Sequence, residues 1–424
     1  MAPPPERRTW RDLVAAAVIT LALILTAAAV LATGSAARSD LRAADAPQPT
    51  YGPAAGMPTA LSPLWSHPSA GSGAPLVTTG NLVTVHDDTL VGRDAGTGEE
   101  RWSYSHAGTP CAATFFADRL VAAFHGAAGC SDVTAIDPTT QTYLATRQSA
   151  FADTMEMRST WAHVLAMGPD RVEIWRDDLV RTVEYGAVEA PQEAGMQPRS
   201  GCTILGGDLT DLRFAVAERC PGEATVRLTV SATVPADNRQ PEEVDSAPTD
   251  ADGLWIIDVT DTAVLAVRER GAEWTVERYT SPTEHTRVLT LPGAPTRAPS
   301  ADTVAGDDGQ VRWFDGAATH AFRVGSGEHA WTADGTTGPG LTGGHDPTST
   351  TSTRGEWVLV PTGDGFSVLD HGTGEHRHDP AAEGRDGGDD RVPDDDEVVG
   401  LAQVGDILYE RRGGAVYAYK MIAD

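Results

Sequence analysis

Lysine is almost missing from this chain: Lys420 is the only one in 424 residues. Arginine supplies the rest of the 32 basic residues, set against 60 acidic ones for a formal net charge of −28. A balance of that sign excludes the basic footprint that nucleic-acid phosphates demand, and it disfavours electrostatic docking on anionic lipid. It reads as a soluble surface kept apart by self-repulsion. Cysteine is scarce as well. None occurs before Cys111, which removes a lipid anchor on an N-terminal cysteine, and no two are adjacent. The chain also lacks a phosphate-binding Gly-rich loop, a Gly-x-Ser-x-Gly elbow and a His-Glu-x-x-His pair, three common marks of an enzyme.

Charge is absent altogether from Leu13 to Thr33, a run of 21 residues rich in Leu, Ile, Val and Ala. About 20 such residues span a bilayer as a helix. Arg7, Arg8 and Arg11 precede the run. The expected order is therefore a cytoplasmic tail over 1–12, a membrane helix over 13–33, and an extracytoplasmic remainder. A cleaved signal peptide is the rival reading, because Ala-rich sequence over Ala32–Ala37 suits a peptidase, but the apolar run is longer than the roughly 7–15 residues usual for one. Residues 34–60 are rich in Ala and Pro with no apolar periodicity and read as a disordered tether. As a flexible coil its mean span is roughly 30 Å.

What is present, repeatedly, is one phrase. Asp94-Ala-Gly-Thr-Gly-Glu-Glu-Arg-Trp102 returns as Asp370-His-Gly-Thr-Gly-Glu-His-Arg377, with looser echoes at Asp137–Tyr143 and Gly325–Trp331. Each copy sits between short apolar strands. A fixed turn recurring along a chain marks a repeat architecture in which no unit buries its own face. Strand groups recur about every 40 to 45 residues, beginning near Pro75, Pro110, Thr154, Ser200, Gly253, Arg297 and Gly340. An eighth group, Val398–Ala402, Asp406–Arg411 and Ala415–Lys420, lacks an outer strand. Leu61-Ser-Pro-Leu-Trp65-Ser-His67 looks like the strand that ends a repeat, with Trp65 standing where Trp102 and Trp331 stand. The expected fold is an all-β, eight-bladed β-propeller over 61–420, with seven blades as the alternative. Its N-terminal strand completes the last blade, and closure of that kind removes free sheet edges.

The four cysteines fit this frame. Cys111 and Cys130 lie 19 apart, Cys202 and Cys220 lie 18 apart, and each pair brackets a strand, a turn and a returning strand. Antiparallel strands bring the start of one beside the end of the next. Disulfides 111–130 and 202–220 are expected, which an exported location permits. A metal site of cysteines with His125 is the alternative, but the two-residue ligand spacing of zinc motifs is missing.

A strand followed by Asp-Ala-x-Thr-Gly-x-x-x-Trp resembles the quinoprotein-like (PQQ-like) β-propeller repeat. The resemblance covers roughly 61–420, with strong motifs only in the first and seventh units. It speaks to fold and hardly to function. Dehydrogenases of that family carry pyrroloquinoline quinone and calcium beside a ring of adjacent cysteines, and this chain has no such pair, so no cofactor is expected. Other members are non-enzymatic, membrane-tethered scaffolds of the bacterial envelope.

Two clusters are candidates for metal. Asp370, His371, His376, His378 and Asp379 place His376 and His378 on one strand face, as metal ligands stand, but they lie at the end of a repeat beside a loop, where histidine is commonly solvated, and no metal ligand is expected. Asp386, Asp389, Asp390, Asp394, Asp395, Asp396 and Glu397 form an acidic run whose spacing does not fit a calcium loop, and it reads instead as a mobile insertion between blades. Asp237–Asp252 reads the same way. The functional expectation is a single-pass, membrane-anchored, non-catalytic scaffold that holds an envelope protein. A small solute, glycan or cation in the central funnel is the alternative.

Overall fold

The apolar N-terminal run folds as one helix, Trp10–Thr33, with a mean hydropathy of 2.7, long and apolar enough to cross a membrane. It opens on a capping box: Thr9 Oγ1 accepts from the Asp12 N–H, and the Thr9 N–H donates to Asp12 Oδ2 at 2.7 Å. Each half satisfies a backbone donor that the first turn leaves orphaned. None of the helix is buried against the rest of the protein. The computed structural model describes residues 9–423 except 48, 53–55, 72, 79, 192, 308, 344–354, 384 and 386–396.

The remainder is an eight-bladed β-propeller. Six blades have four strands each, at 110–148, 156–186, 203–248, 253–290, 304–334 and 341–378. These are blades 2 to 7. Blade 1, at 76–105, and blade 8, at 400–422, have five strands each because other segments join them. The first strands line the hub, and those of blades 1 and 2, 2 and 3, 3 and 4, 4 and 5, 6 and 7, and 8 and 1 touch one another. Consecutive strands in a blade are antiparallel, so the turns from strand one to two and from three to four share one end of the disc. This is termed the far end. The turns from two to three, and the crossings between blades, share the entry end.

Ring closure follows the sequence-based expectation. Ala60–Pro68 pairs antiparallel with Ala415–Ile422, bringing Ala60 opposite Ile422 and Pro68 opposite Ala415. Ala381–Ala382 then adds a short parallel strand outside it. The tether departs from expectation. Asp40–Arg42 pairs antiparallel with the outer strand of blade 1, matching Asp40 to Ser105. Further on, Arg101 Nη2 donates to the carbonyls of Ala46 and Pro47, both at 2.7 Å, and Tyr51 Oη donates to Asp94 at 2.6 Å. An exposed sheet edge is a template for any extended segment, and a Pro/Ala-rich one is already extended.

The recurring phrase is a turn with a neighbour's tryptophan seated on it. Asp94 Oδ1 accepts from the N–H groups of Gly96 and Thr97 at 3.0 and 2.9 Å, and Asp370 Oδ1 does the same for Gly372 and Thr373. Gly98 and Gly374 follow at φ of 73° and 69°, where an L side chain is strained. Their openness has a second use. A Cβ on Gly98 would run into the Trp65 ring, and one on Gly374 into Trp331. Trp65 Nε1 donates to Ala95 O at 3.2 Å and Trp331 Nε1 to His371 O at 3.0 Å. The last strand of one blade thus clamps the outer turn of the next.

The core lies between blades. Val83, Leu90, Trp102 and Tyr104 of blade 1 pack on Leu120, Ala122, Phe124 and Ile136 of blade 2. Trp331 of blade 6 packs on Val358, Val360 and Leu369 of blade 7. Each large side chain buried there contributes about 1.5–3 kcal/mol. Buried carboxylates recur in the same seams. Glu173 accepts from Arg147, Arg171, Ser149 and Trp175, and Glu410 accepts from Arg385, Arg412 and Tyr419.

Both disulfides form as expected, Cys111–Cys130 with Cα atoms 6.0 Å apart and Cys202–Cys220 with 4.2 Å. Closing loops of this length is worth roughly 3 kcal/mol through the unfolded chain. The pairs are not strictly equivalent. Cys111 sits in a bulge of the first strand and reaches Cys130 at the start of the third, whereas Cys202 and Cys220 flank strands one and two. One insertion is also corrected: Glu243–Pro248, inside the segment read as mobile, is the outer strand of blade 4. Its Pro, Asp and Glu content suits a solvated edge.

Candidate functional site

Three hub strands carry the same short pattern at a step of fifty: Arg158-x-Thr160, Asp208-x-Thr210 and Asp258-x-Thr260. Each threonine closes an identical far-end turn. Thr160 N–H donates to His163 O at 2.9 Å, Thr210 N–H to Arg213 O at 2.7 Å, and Thr260 N–H to Ala263 O at 2.9 Å. Each of the first two hydroxyls then reaches the next blade, Thr160 to Asp211 and Thr210 to Asp261, the latter at 2.8 Å. The pattern repeats by structure rather than by composition. A search for a step of fifty in blades 3 to 5 would have found it.

The residues two before these threonines converge in the hub. Arg158 Nε donates to Glu156 Oε1 at 2.8 Å. The Ala301 N–H, on the segment leading into blade 6, crosses the hub to donate to the same oxygen at 2.7 Å. Burial works against the Arg158 charge, but the carboxylates of Asp208 and Glu156 hold it above its ordinary range. Burial pushes the Asp208 carboxyl up, against the opposing pull of Arg158. Burial, then the Asp208 charge, pushes Asp258 up to about 7. Nearer the entry end, burial lowers Arg411 to about 10 against the pull of Asp302 and Glu397, and its Nη1 donates to Gly73 O at 3.1 Å. Ionisable groups from blades 3, 4 and 5 therefore meet in the hub, with Arg411 of blade 8 nearer the entry end.

This hub gives a pH dependence of defined sign. Between about pH 4 and pH 7 the folded protein retains the Asp258 proton that the unfolded chain has lost. Stability is fullest at the acid end of that window and falls as pH rises, by at most about 1.4 kcal/mol per pH unit. Asp258→Asn flattens the slope and is more stable than the parent at pH 8. Urea unfolding at pH 5 and pH 8 reads this directly, and an unchanged slope would refute the assignment.

A second feature lies at the far end. Trp161 and Leu212 occupy the hub-side turns of blades 3 and 4, each 66% exposed. Val180 and Val234, on the outer turns of the same two blades, and Val244, at the start of the outer strand of blade 4, are exposed too. Beside them, a cleft of about 190 Å³ opens between blades 4 and 5, lined by Val230, Val244, Val264, Tyr279 and Pro282 together with Arg213 and Asp245.

The His/Asp cluster weighed as a metal candidate from sequence does not assemble. Asp370 is spent in its turn. His371 Nε2 faces Asp307 at 3.0 Å, His378 Nε2 donates to Pro58 O at 2.8 Å, and only His376 and Asp379 meet, at 2.9 Å and in solvent. The acidic run lies outside the described residues apart from Glu397, whose carboxylate accepts from the Gly413 N–H. Among the described residues, groups of three or more close His, Cys, Asp or Glu side chains occur only around the bridges, as Cys111/His125/Cys130 and Cys202/Glu218/Cys220. Oxidised sulfurs there offer no thiolate ligand. The bridges also use all four cysteines at spacings of 19 and 18, so the adjacent-cysteine ring of quinone-binding propellers has no counterpart.

No family model matches this chain, and no curated protein matches it by sequence. Solved structures of similar shape include BamB from Moraxella catarrhalis, 13% identical, covering 85% of this chain and 100% of that one at a TM-score of 0.48. Dihydro-heme d1 dehydrogenase NirN in complex with DHE is 13% identical over 97% of this chain and 76% of that one, with a TM-score of 0.49. AztD from Citrobacter koseri, in its apo form, is 14% identical over 78% and 88%, with a TM-score of 0.46. These are likenesses of fold, and no residue role passes from them to this chain.

Proposed function

We propose that this protein is a membrane-anchored, extracytoplasmic docking disc, non-catalytic, that holds another protein of the cell envelope against its far end. The observation that carries the reading is the pairing of Trp161 and Leu212, each 66% exposed, on neighbouring turns of one end. Clustered exposed apolar side chains mark interaction surfaces, and tryptophan is the residue most often found to dominate them. The apolar helix supports an anchor and the two bridges support an oxidising compartment. Confinement beside a membrane raises effective concentration, so modest contacts suffice.

The convergence of Arg158, Asp208 and Asp258 favours a second reading, a cationic solute bound at the hub. Against it stand the internal answer that Arg158 gives to these acids and the segment at Ala301 that crosses the hub.

One experiment separates the two. Full-length protein is crosslinked in membranes, and the captured partner is compared with that of W161S/L212S and of D208N/D258N. The docking reading expects capture to fall at least about tenfold in W161S/L212S and to persist in D208N/D258N. Capture unaffected by W161S/L212S sinks it, and loss only in D208N/D258N promotes the hub.

A further inference from the structure

The outer hairpin of blade 6 holds a constellation that neither reading uses. His320, on Ala318–Arg323, lies directly across the sheet from Thr332, on His329–Asp334. His320 Nδ1 is 2.9 Å from Thr332 Oγ1, and His329 Nε2 is 2.9 Å from the same oxygen. Two imidazole nitrogens from adjacent strands are thus aimed at one point. Behind His320, its Nε2 faces Asp315 Oδ2 at 3.1 Å. The other Asp315 oxygen accepts from the N–H groups of Ala317 and Ala318 at 2.8 and 2.7 Å.

That chain of contacts assigns the tautomer. A carboxylate only accepts, so Nε2 of His320 carries the proton and donates it to Asp315. Nδ1 therefore presents a lone pair toward Thr332. A histidine whose far nitrogen donates to a buried carboxylate is the usual arrangement of a metal-ligating imidazole, because the carboxylate fixes the ring and raises its basicity. The rings are also held by packing: Trp313 lies 5.6 Å from His320 and Phe322 lies 5.7 Å from His329, centroid to centroid. The Thr332 hydroxyl has one hydrogen, which goes to His320 Nδ1, so without metal His329 Nε2 donates to Thr332 Oγ1 and must pass its proton to its own Nδ1 to ligate. Access follows a gradient, with Thr332 exposed, His329 half-buried and His320 buried, so the pair opens outward at the rim. Two imidazoles with a hydroxyl and water suit a late first-row divalent ion better than calcium or magnesium, which take oxygen donors. The −28 net charge enriches cations near the surface.

We propose that His320 Nδ1 and His329 Nε2 form a binding site for a divalent transition-metal ion such as Zn²⁺, completed by Thr332 Oγ1 or water and oriented by Asp315. The site is distinct from the exposed His376/Asp379 pair on blade 7, which serves as the control.

The test titrates Zn²⁺ into the full-length protein in detergent, by calorimetry and by the metal-induced rise in Tm. Wild type binds one equivalent at this site. H329A, at a half-exposed position, keeps the metal-free Tm and loses at least about tenfold in affinity. D315N, which touches no metal, also loses about 10–100-fold. H376A/H378A leaves the affinity unchanged. Wild-type affinity in both H329A and D315N, loss of binding only in H376A/H378A, or no Zn²⁺ bound by the wild type would each overturn the proposal.

Discussion

Glu410→Ala lowers the stability of the propeller by about 3–5 kcal/mol, the cost of leaving buried charge without its partner. Glu410 is fully buried in the second strand of blade 8. Its Oε1 accepts from Arg385 Nη2 at 2.6 Å and Nε at 2.9 Å, and its Oε2 from Arg412 Nε at 3.1 Å and Tyr419 Oη at 3.2 Å. Arg385 in turn donates to Thr362 O at 3.0 Å and lies 4.4 Å over the Phe366 ring, both in blade 7. One carboxylate therefore pins two guanidiniums and a seam. Removing it strands positive charge where water does not reach. Urea unfolding of the full-length protein in detergent gives the loss. A replacement that removes Arg385 and Arg412 as well, with leucine or methionine at all three positions, recovers most of it, since a buried ion pair seldom outperforms packed apolar groups. A loss under 1 kcal/mol in the single variant contradicts this account.

Deleting residues 60–68 has a still larger effect, abolishing a cooperative melt. Leu61 is fully buried among Leu359, Phe366, Leu401 and Tyr419, and Trp65 clamps the outer turn of blade 1. Burial of Leu61 alone is worth about 1.5–3 kcal/mol, and the half-buried Trp65 adds to it, a sizeable share of the roughly 5–15 kcal/mol that holds most domains together. The deletion also bares the edge of Ala415–Ile422, which invites aggregation. Because Ala60 lies opposite Ile422, moving 60–68 to the C-terminus through an Asn-Gly turn rebuilds the blade as a hairpin. The permuted protein is expected to elute as a monomer and melt as one unit. A cooperative melt in the plain deletion would mean that closure is dispensable.

Both features differ in how plainly the sequence announced them. The closing strand was legible because Trp65 stands at the same place in its repeat as Trp102, and because the eighth strand group lacks an outer strand. The bridges were legible from two near-equal spacings. The outer strand of blade 4 was not: an edge strand needs few apolar residues, so Glu243–Pro248 has the composition of a loop. The hub was hidden for another reason. Arg158, Asp208 and Asp258 sit fifty residues apart in sequence, and only the stacking of blades 3, 4 and 5 brings them together. The His320–His329 pair lay outside the histidine cluster the sequence suggested, because cross-strand register joins positions that no short motif links. The turn phrase specified the scaffold, and the scaffold alone decided which polar side chains would meet.

The strand Asp40–Arg42 on the rim of blade 1 changes the mechanics of the tether. Its first residue lies at the entry end, opposite Ser105, so only residues 34–39 separate the helix from a fixed point on the disc. Six extended residues reach at most about 20 Å, so a helix held in a bilayer would leave the disc on a leash with little slack. With the helix in a bilayer, the entry end stays close to the lipid and the far end stands off by the depth of a blade, roughly 20–30 Å for strands of 6–9 residues. On the anchoring proposed above, a partner lying flat in the same membrane would not meet Trp161 and Leu212. The partner proposed here would have to stand tall, with a folded body of its own held at that height, so the leash would act as a ruler that selects for stature before any surface chemistry is compared.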